Sequence, residues 1–429
     1  MRFIIKHASC GGERVGNLTG FAKMKTAVIE TPTAALLTQG GSVVHLTVDV
    51  LSKVFTSPHL LWVPLSNSAR LEIGVKAQGE GIAKFAGLQG HVTCATLHNA
   101  SEMTPPGHFE ANFVPMWTKN GKKMITADRY MDIMEIYTPD ILLAIADSHI
   151  TLNEGQKRIS KSVERSRVLL DTCVNRYVNS KRLQDCALIG VITGTGINEK
   201  CDHCIKHLLT HKEHLNGVAL SGMTDGSEES LKIEKDKLET IFKSISESIP
   251  SELVKFIEGC WTPDIIMTAI QYGWDVFDGS YPSKLTNAGQ ALALNFDVDK
   301  NCDELCLLDL NDVRYKEDFR PILEGCECHT CKKHTRAYIQ HLLNTREMLS
   351  TVLLSIHNLH HFDQMFVHAR RHIASSTFDV YKLHIVKQYE RYKQQVPIES
   401  DSEKDKDTVQ TAKKICVSND VLENVSIFK

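Results

Sequence analysis

Three cysteines, Cys326, Cys328 and Cys331, lie within six positions of the segment GCECHTCKKH. They are too close together for easy mutual disulfides, and their polar and charged neighbours argue against a hydrophobic core. Thiolates at this spacing are typical zinc ligands, and a structural zinc ion is usually held by four protein ligands in a tetrahedron. The segment therefore predicts a structural Zn²⁺ site that takes its fourth ligand from elsewhere in the chain.

A histidine is the expected fourth ligand, because imidazole commonly accompanies thiolates in such sites. The candidates are His329, His334, His341, His357, His360 and His361. His329 lies inside the cysteine turn, and His334 is so close that the chain would have to curl sharply. His357 ends a helical pattern that one helix could bring back to the cysteines, so geometry gives it a small advantage.

A second group of metal-ligand residue types occurs in CDHCIKHLLTHKEH, whose members are Cys201, Cys204, His207, His211 and His214. In a helix, Cys204, His207 and His211 would fall on one stripe together with Leu208. Cys201 would reach that stripe only awkwardly. The pattern therefore favours an amphipathic helix over a second metal site.

The composition is that of a globular protein, with 42% hydrophobic and 24% charged residues among 429. No apolar run reaches the length of a membrane span, and the N-terminus lacks a signal-peptide pattern, so an intracellular protein is expected. Thirteen cysteines are then expected to be thiols or metal ligands rather than disulfides. The net charge of −3 leaves contacts with nucleic acid to a local basic patch, in residues 157–167 or Lys119–Lys123, or to a partner.

Short apolar runs rich in β-branched residues alternate with longer amphipathic segments between about residues 85 and 280. The runs lie at 91–98, 141–147, 186–194, 217–222, 254–259 and 274–279. Strands and helices that alternate in this way predict parallel β/α units, in a barrel or a doubly wound sheet. The barrel is the preferred interpretation.

The expected domain order is an N-terminal β-rich layer at 1–75, barrel units at 76–300, and a zinc-binding subdomain with a helical tract at 301–395. The tail, residues 396–429, is charged and poor in aromatic residues, so it is expected to be disordered.

The segments GCECHTCKKHTRAYIQHLL and LLSIHNLHHFDQM resemble the zinc-binding region of the tRNA-guanine transglycosylase family. The likeness continues upstream in SGMTDGSE (221–228) and FIEGCWTPDIIMTAIQYGWDVFDGSYPSKLT (256–286), and it covers roughly residues 85–375. It implies a (β/α)8 barrel of TIM type with a zinc subdomain. It also implies that His357 completes the site for one structural Zn²⁺ per chain.

The resemblance also implies a reaction, in which guanine at wobble position 34 of tRNAs with GUN anticodons (those for Asp, Asn, His and Tyr) is exchanged for queuine. Such an exchange needs a carboxylate nucleophile and a second group that transfers protons. Asp278 falls on the nucleophile position of the family. An aspartate at a strand end that only caps the next turn is an equally good interpretation of Asp278.

The catalytic motifs of the family are otherwise altered in this chain. The residues after Asp278 are Pro282, Ser283 and Lys284 where active members have Pro-Thr-Arg, and ITGTG (192–196) replaces a Gln-Gly-Gly segment. No Thr-Asp-Ser-Gly-Gly-Phe motif occurs between residues 50 and 130. These departures predict no catalytic residue in this chain, with Asp278 vestigial.

The resemblance therefore implies a non-catalytic subunit that forms a heterodimer with a catalytic homologue and meets tRNA through the complex. It further implies a cytoplasmic location, with peripheral association at the mitochondrial outer membrane. A self-sufficient homodimeric transglycosylase that uses Asp278 is the main alternative. A zinc hydrolase fits less well, because a Cys3His set leaves no position for water, and an unrelated scaffold would not explain the zinc spacing.

Overall fold

The computed structural model describes residues 1–103, 112–195, 198–224, 226–227, 233–300 and 305–395. Within these ranges the residues up to 389 form one compact unit, and residues 390–395 are the end of the last helix. The predicted disordered tail, 396–429, lies outside the described residues.

The strands are β1 (Arg2–Ala8), β2 (Arg14–Thr19), β3 (Ile29–Thr31), β4 (Thr33–Gln39), β5 (Ser42–Val43), β6 (Leu60–Pro64), β7 (Val92–Thr96), β8 (Val114–Thr118), β9 (Gly121–Ile125), β10 (Ile141–Leu143), β11 (Ala187–Ile192), β12 (Gly217–Leu220), β13 (Val254–Ile257), β14 (Val276–Gly279), β15 (Gln290–Leu292) and β16 (Leu307–Asp309). The α-helices are α1 (Val48–Val54), α2 (Leu65–Ser68), α3 (Glu72–Gln78), α4 (Ile82–Phe85), α5 (Ala127–Tyr137), α6 (Gln156–Asn179), α7 (Asn198–Thr210), α8 (Lys235–Ser248), α9 (Pro263–Gln271), α10 (Ser280–Asn287), α11 (His329–Lys333), α12 (Arg336–Asn344), α13 (Met348–Ala374) and α14 (Phe378–Gln395).

Eight parallel strands close into a barrel, as the alternation of strands and helices predicted. Their order is β4, β6, β7, β10, β11, β12, β13 and β14, and β14 pairs with β4 to complete the circle. Each of the six apolar runs predicted as strands contains one of the barrel strands β7 and β10 to β14. The short β5 only extends β4 as an antiparallel hairpin.

The barrel begins earlier in the chain than the expected boundary at residue 76. Strand β4 pairs in parallel with both β6 and β14, so residues 33–39 and 60–64 belong to the barrel wall rather than to a separate layer. Of the strands in the first 75 residues, β1, β2 and β3 form an antiparallel sheet apart from the barrel. The sequence pattern missed this because the hairpin of β4 and β5 is local, whereas the pairing of β4 with β14 joins distant parts of the chain.

The N-terminal sheet closes one end of the barrel. Its buried Leu18, Phe21 and Ile29 belong to the same core cluster as inward-facing barrel residues such as Trp62 and Phe256. Large side chains fill the interior, so the barrel is a packed core and not a channel. The functional face must therefore be the opposite end, where the strands finish.

An ion pair joins this sheet to the barrel. Arg14 on β2 donates from Nε and Nη2 to the two carboxylate oxygens of Asp275, at 2.8 and 2.5 Å. Its guanidinium also donates to the carbonyl oxygens of Ser251 and Leu253, which precede β13. The side chains of Arg14 and Asp275 are 5% and 0% exposed, so the pair is fully enclosed with its hydrogen bonds satisfied.

Gly279 allows the barrel to close at the seam between β14 and β4. A Cβ atom at Gly279 would lie 2.2 Å from the carbonyl oxygen of Ala35 and 3.0 Å from its carbonyl carbon. Both are backbone atoms and cannot rotate away. A side chain here would push the two strands apart, so glycine is required one residue after Asp278.

The C-terminal part of the compact unit is a hairpin of β15 and β16 followed by helices. The hairpin starts at residue 290, slightly before the expected boundary at 301. Helix α13 is the longest element, with 27 residues, and its buried residues contribute to two core clusters, one of which includes the barrel residues Leu36 and Leu61. Within the described ranges no helix has both the length and the apolar character needed to cross a membrane.

Replacing Arg14 with alanine is expected to lower the free energy of unfolding by about 3–5 kcal/mol, because it leaves the carboxylate of Asp275 buried without its partner. Urea unfolding followed by circular dichroism measures the change. Arg129→Ala is the control, since Arg129 is 50% exposed where it meets Glu72, and the loss there should stay below about 1 kcal/mol. Equal losses for the two variants would contradict a structural role for the buried pair.

Candidate functional site

The structure brings Cys326, Cys328 and Cys331 together with His357, the histidine that the family resemblance implied as the fourth ligand. The ligand atoms of the four residues all lie within 4.8 Å of one another, a group that could hold a metal ion. Cys328 precedes α11 and Cys331 lies within it, while His357 is fully buried in the first half of α13. One turn and one long helix therefore supply the whole cluster.

The distances within the cluster fit a tetrahedral ion. His357 Nδ1 lies 3.8, 3.5 and 3.3 Å from the sulfur atoms of Cys326, Cys328 and Cys331. For bonds of 2.3 Å to sulfur and about 2.05 Å to nitrogen at tetrahedral angles, the sulfur to nitrogen separation is about 3.6 Å. The four ligand atoms thus surround a space of the right size for Zn²⁺.

The closeness of the three sulfur atoms also favours a cation at this position. The hydrogen bond with Cys328 is the main cause that lowers the pKa of Cys326, whereas the hydrogen bond with Cys326 is the main cause that raises the pKa of Cys331. Three adjacent sulfur atoms cannot all carry a negative charge without a counterion, because like charges oppose each other's ionisation. A divalent ion would replace the protons that the cluster otherwise shares.

The other histidines considered from the sequence lie outside the cluster. The rings of His329 and His334 lie edge to face with centroids 6.3 Å apart, and His334 stacks on Tyr338. His361 stacks on His357 at 5.5 Å, and its burial lowers its pKa to about 4. His361 therefore packs against His357 without belonging to the group of four residues.

The second nitrogen of His357 holds the ring against the hairpin that follows the barrel. Nε2 lies 2.6 Å from the carbonyl oxygen of Leu292 on β15, to which it donates a hydrogen bond when Nδ1 faces the cysteines. The backbone N–H of Leu292 in turn donates to Asn358 Oδ1 at 2.9 Å. Asn358 also donates to Thr286 and to the carbonyl of Gln290. Such partners orient a metal-binding imidazole and select its tautomer.

Asp278 lies at the end of β14, in a pocket at the mouth of the barrel. Its Oδ1 accepts hydrogen bonds from the backbone N–H of Ser280, at 2.9 Å, and from the Ser280 hydroxyl. Its Oδ2 is buried and accepts no hydrogen bond from any residue that the structure describes. Burial raises the pKa of Asp278 to about 7, and the nearby charge of Glu258 adds to the shift.

Glu258 is a second carboxylate in the same pocket, and the sequence analysis did not identify it. It follows β13 as Asp278 ends β14, and its Oε1 accepts a hydrogen bond from the Thr96 hydroxyl. Burial raises its pKa as well. The available signal was its place at the end of a predicted barrel strand, where functional residues of such barrels lie.

Two histidines complete the polar lining of the pocket. The rings of His98 and His149 lie 5.5 Å apart, nearly edge to face. Burial, with a smaller effect of His149, lowers the pKa of His98 to about 3, so this ring is neutral at physiological pH. The pocket is therefore lined by the carboxylates of Glu102, Glu258 and Asp278 and by two imidazoles, and burial disfavours the charged forms of Glu258, Asp278 and His98.

In the second group, Cys201, Cys204 and His207 lie on helix α7, which the pattern favoured, whereas His211 and His214 follow its end. Cys201 and Cys204 are buried on the inner face of α7, where burial raises the pKa of Cys201 to about 12. His207 and His211 lie at the edge of this face, and each places Nε2 2.8 Å from Asp171 Oδ1. The two cysteines take no part in that contact.

Comparison with known proteins gives a consistent result along nearly the whole chain. The family model described as queuine tRNA-ribosyltransferase matches residues 10–391. The queuine tRNA-ribosyltransferase accessory subunit 2 of Aedes aegypti is 33% identical over 391 residues, covering 90% of this chain and 93% of the relative. The proteins of the same name from Ixodes scapularis and Danio rerio are 32% and 29% identical, over 84% and 86% of this chain and 94% and 95% of theirs.

Replacing His357 with alanine is expected to release the bound metal, because it removes one of four ligands and the hydrogen bond to Leu292. Elemental analysis of the purified chain measures the metal content. His360→Ala is the matched control, since His360 is the neighbour on α13 outside the cluster, and it should keep full occupancy. Retention of metal by the first variant and its loss from the second would overturn the ligand assignment.

Proposed function

The chain belongs to the queuine tRNA-ribosyltransferase family, and from this we propose that it is the non-catalytic subunit of a heterodimeric transglycosylase. The complex would exchange guanine for queuine at wobble position 34 of tRNAs with GUN anticodons. Its catalytic subunit would be a homologue of this chain, and this chain would support it by pairing and by positioning tRNA. The observation that carries the proposal is the likeness, over about 90% of the chain, to relatives named as accessory subunits.

The state of Asp278 supports a non-catalytic role. A carboxylate that attacks a ribose carbon must be ionised and free to approach it. One oxygen of Asp278 instead caps the following helix through Ser280, and a pKa of about 7 leaves much of the group protonated at neutral pH. We therefore regard Asp278 as vestigial, retained for its contacts at the end of β14.

The alternative is an active homodimer that uses Asp278 as its nucleophile. One observation favours it, namely that Glu258 faces the same pocket and offers the second carboxylate that the exchange requires. Against it stand Ser283 and Lys284, which replace the Thr and Arg of the Pro-Thr-Arg motif, and the missing family motif early in the barrel. An activity measurement on defined subunit mixtures separates the two.

The isolated chain is expected not to incorporate labelled guanine or queuine into tRNA, whereas its mixture with the catalytic homologue should be active. Asp278→Asn and Glu258→Gln in this chain should each leave the activity of the mixture within about twofold, because the reaction takes place in the other barrel. If Asp278 were a nucleophile, its loss would cost orders of magnitude in rate. Turnover by the isolated chain that disappears in Asp278→Asn would establish the alternative.

We also propose that the cysteine cluster holds one zinc ion with a structural role. Three thiolates and one imidazole fill a tetrahedral coordination shell, so no position remains for a reacting water. Cys326, Cys328, Cys331 and His357 would be the ligands. The ion would link α11 to α13, and elemental analysis that finds another metal or none would refute this assignment.

The pairing surface is proposed to lie on the C-terminal helices, within residues 335–365. Large apolar side chains are exposed there: Tyr338 at 39%, Met348 at 85% and Leu349 at 42%. They lie on α12 and at the start of α13, next to the metal cluster. Exposed apolar residues that are close together are typical of a protein interface.

Met348→Glu together with Leu349→Glu is expected to abolish pairing with the catalytic homologue, because charges would have to be buried at the interface. Light scattering after size exclusion measures the mass of the complex. Ile73→Glu is the control, as Ile73 is 83% exposed on α3, outside this surface. A double variant that keeps its fold and still pairs would show that the interface lies elsewhere.

For tRNA, the hairpin of β8 and β9 is a better candidate than the start of α6. Arg158 and Arg165 in the basic stretch 157–167 are bound to the buried carboxylate of Asp147. In contrast, Lys119 and Lys123 are exposed and border a cleft that also contains Arg70. We propose that this hairpin adds phosphate contacts to a footprint shared with the catalytic subunit.

Charge reversal of Lys119 and Lys123 to glutamate should weaken tRNA binding by the complex. Each lost phosphate contact should also reduce the slope of log K against the logarithm of the salt concentration by about 0.7, the value for single strands. Lys157→Glu with Lys161→Glu is the matched control at the start of α6. Filter binding at several salt concentrations gives both the affinity for tRNA and its salt slope. If the control variant loses more affinity than the hairpin variant, the contact belongs to α6.

The resemblance extends the proposal to a cytoplasmic location with peripheral attachment to the mitochondrial outer membrane. Fractionation with protease treatment tests both parts. Protection of the chain inside the organelle would contradict them.

A further inference from the structure

His207, His211 and Asp171 meet at the surface between α6 and α7. Both histidines place Nε2 2.8 Å from the same oxygen, Oδ1 of Asp171. Their rings lie 5.4 Å apart and nearly perpendicular. The side chains are 18%, 24% and 43% exposed for His207, His211 and Asp171, so the group is ordered by its contacts but open to solvent.

The helix geometry accounts for this arrangement. Residues four apart lie on the same face of a helix, one turn from each other. His211 follows the last residue of α7 and still donates its backbone N–H to the carbonyl of Leu208, so it continues that face. The buried Cys204 and Leu208 anchor the inner side of α7, and Asp171 approaches from α6.

We propose that this trio is a second metal site, for a divalent first-row transition ion such as Zn²⁺. Two imidazole nitrogens and one carboxylate oxygen suit such ions, whereas Mg²⁺ and Ca²⁺ prefer sites made of oxygen ligands. The ligand atoms of the three residues all lie within 4.8 Å of one another. The site is independent of the cysteine cluster and of the proposed transglycosylase role.

An ion can enter the trio with only a small adjustment. Tetrahedral bonds of about 2.0–2.2 Å place neighbouring ligand atoms about 3.3–3.5 Å apart. Asp171 would have to withdraw by roughly half an ångström from the present distance of 2.8 Å to each histidine, which its exposed side chain permits. Each imidazole would move its proton from Nε2 to Nδ1, and the ion would replace the two N–H···O contacts.

The neighbouring charges do not oppose a cation. Arg167 lies one helical turn before Asp171, and its guanidinium donates to Glu164 at 2.7 and 3.3 Å. Glu164 also lies close enough to interact electrostatically with His203 and His207. The surroundings of the trio are therefore close to neutral, and Asp171 supplies the negative charge.

Zinc titration of the purified full chain, with its cysteine cluster already loaded, tests the site. In a titration to about ten molar equivalents of Zn²⁺, we expect a second, weaker equivalent to bind. The affinity for this second Zn²⁺ should fall by at least about tenfold in each of three variants, as expected for the loss of a ligand. The variants are His207→Ala, His211→Ala and Asp171→Asn. Binding of the first equivalent of Zn²⁺, at the cysteine cluster, should not change.

His214→Ala is the control, since His214 lies on the same segment but contacts Glu213 at 3.3 Å rather than the trio. Its affinity for the second equivalent of Zn²⁺ should stay within about twofold of that of the unaltered chain. This is much less than the change expected for a lost ligand. Circular dichroism checks that every variant is folded, and His207→Gln and His211→Gln replace any alanine variant that is not. The absence of a second equivalent would overturn the proposal, as would its survival in the variant that lacks both His207 and His211.

Discussion

Helix α13 is tied to the hairpin that follows the barrel through the backbone of one residue, Leu292 on β15. Its carbonyl oxygen accepts from His357, and its N–H donates to the neighbouring Asn358. Because His357 also belongs to the cysteine cluster, a metal ion bound there would be connected through its ring to both α13 and the hairpin after the barrel. Loss of a bound ion would free the ring of His357, and its hydrogen bond to Leu292 would then no longer be held in place.

Much of the fold was predictable from the sequence, and the reason is physical. Parallel strands that are buried on both faces appear as continuous apolar runs, and CALIGVITG is such a run. The cysteine spacing was equally informative, because few structures other than a metal site bring three thiols so close together. By contrast, the residues of β4 were assigned to a separate layer, because the Gly40–Gly41 turn after β4 gives a local hairpin pattern while its pairing with β14 leaves no local trace.

The candidate site was predicted less completely than the fold. Geometry alone gave His357 only a small advantage, and the family resemblance was needed to select it. The importance of Asn358 depends on a backbone group 66 positions away in the chain. Glu258 has no motif around it, and its significance comes from the neighbouring strand that carries Asp278. Spacing along a chain reveals partners within one turn or helix, whereas a pocket at a barrel mouth collects residues from the ends of many strands.

The seam between β14 and β4 has a consequence for how the molecule forms. Residues 33–36 find their partners at residues 276–279, and Arg14 finds Asp275 across 261 positions of chain. Contacts of such high sequence separation are formed late and slow the folding of a domain. During synthesis one edge of β4 therefore stays open until most of the barrel has left the ribosome, and an open strand edge is where chains associate wrongly. Gly279 packs so closely against Ala35 that a side chain at residue 279 would not fit in this seam. A single substitution can therefore block the pairing of β14 with β4, which is the step that completes the barrel.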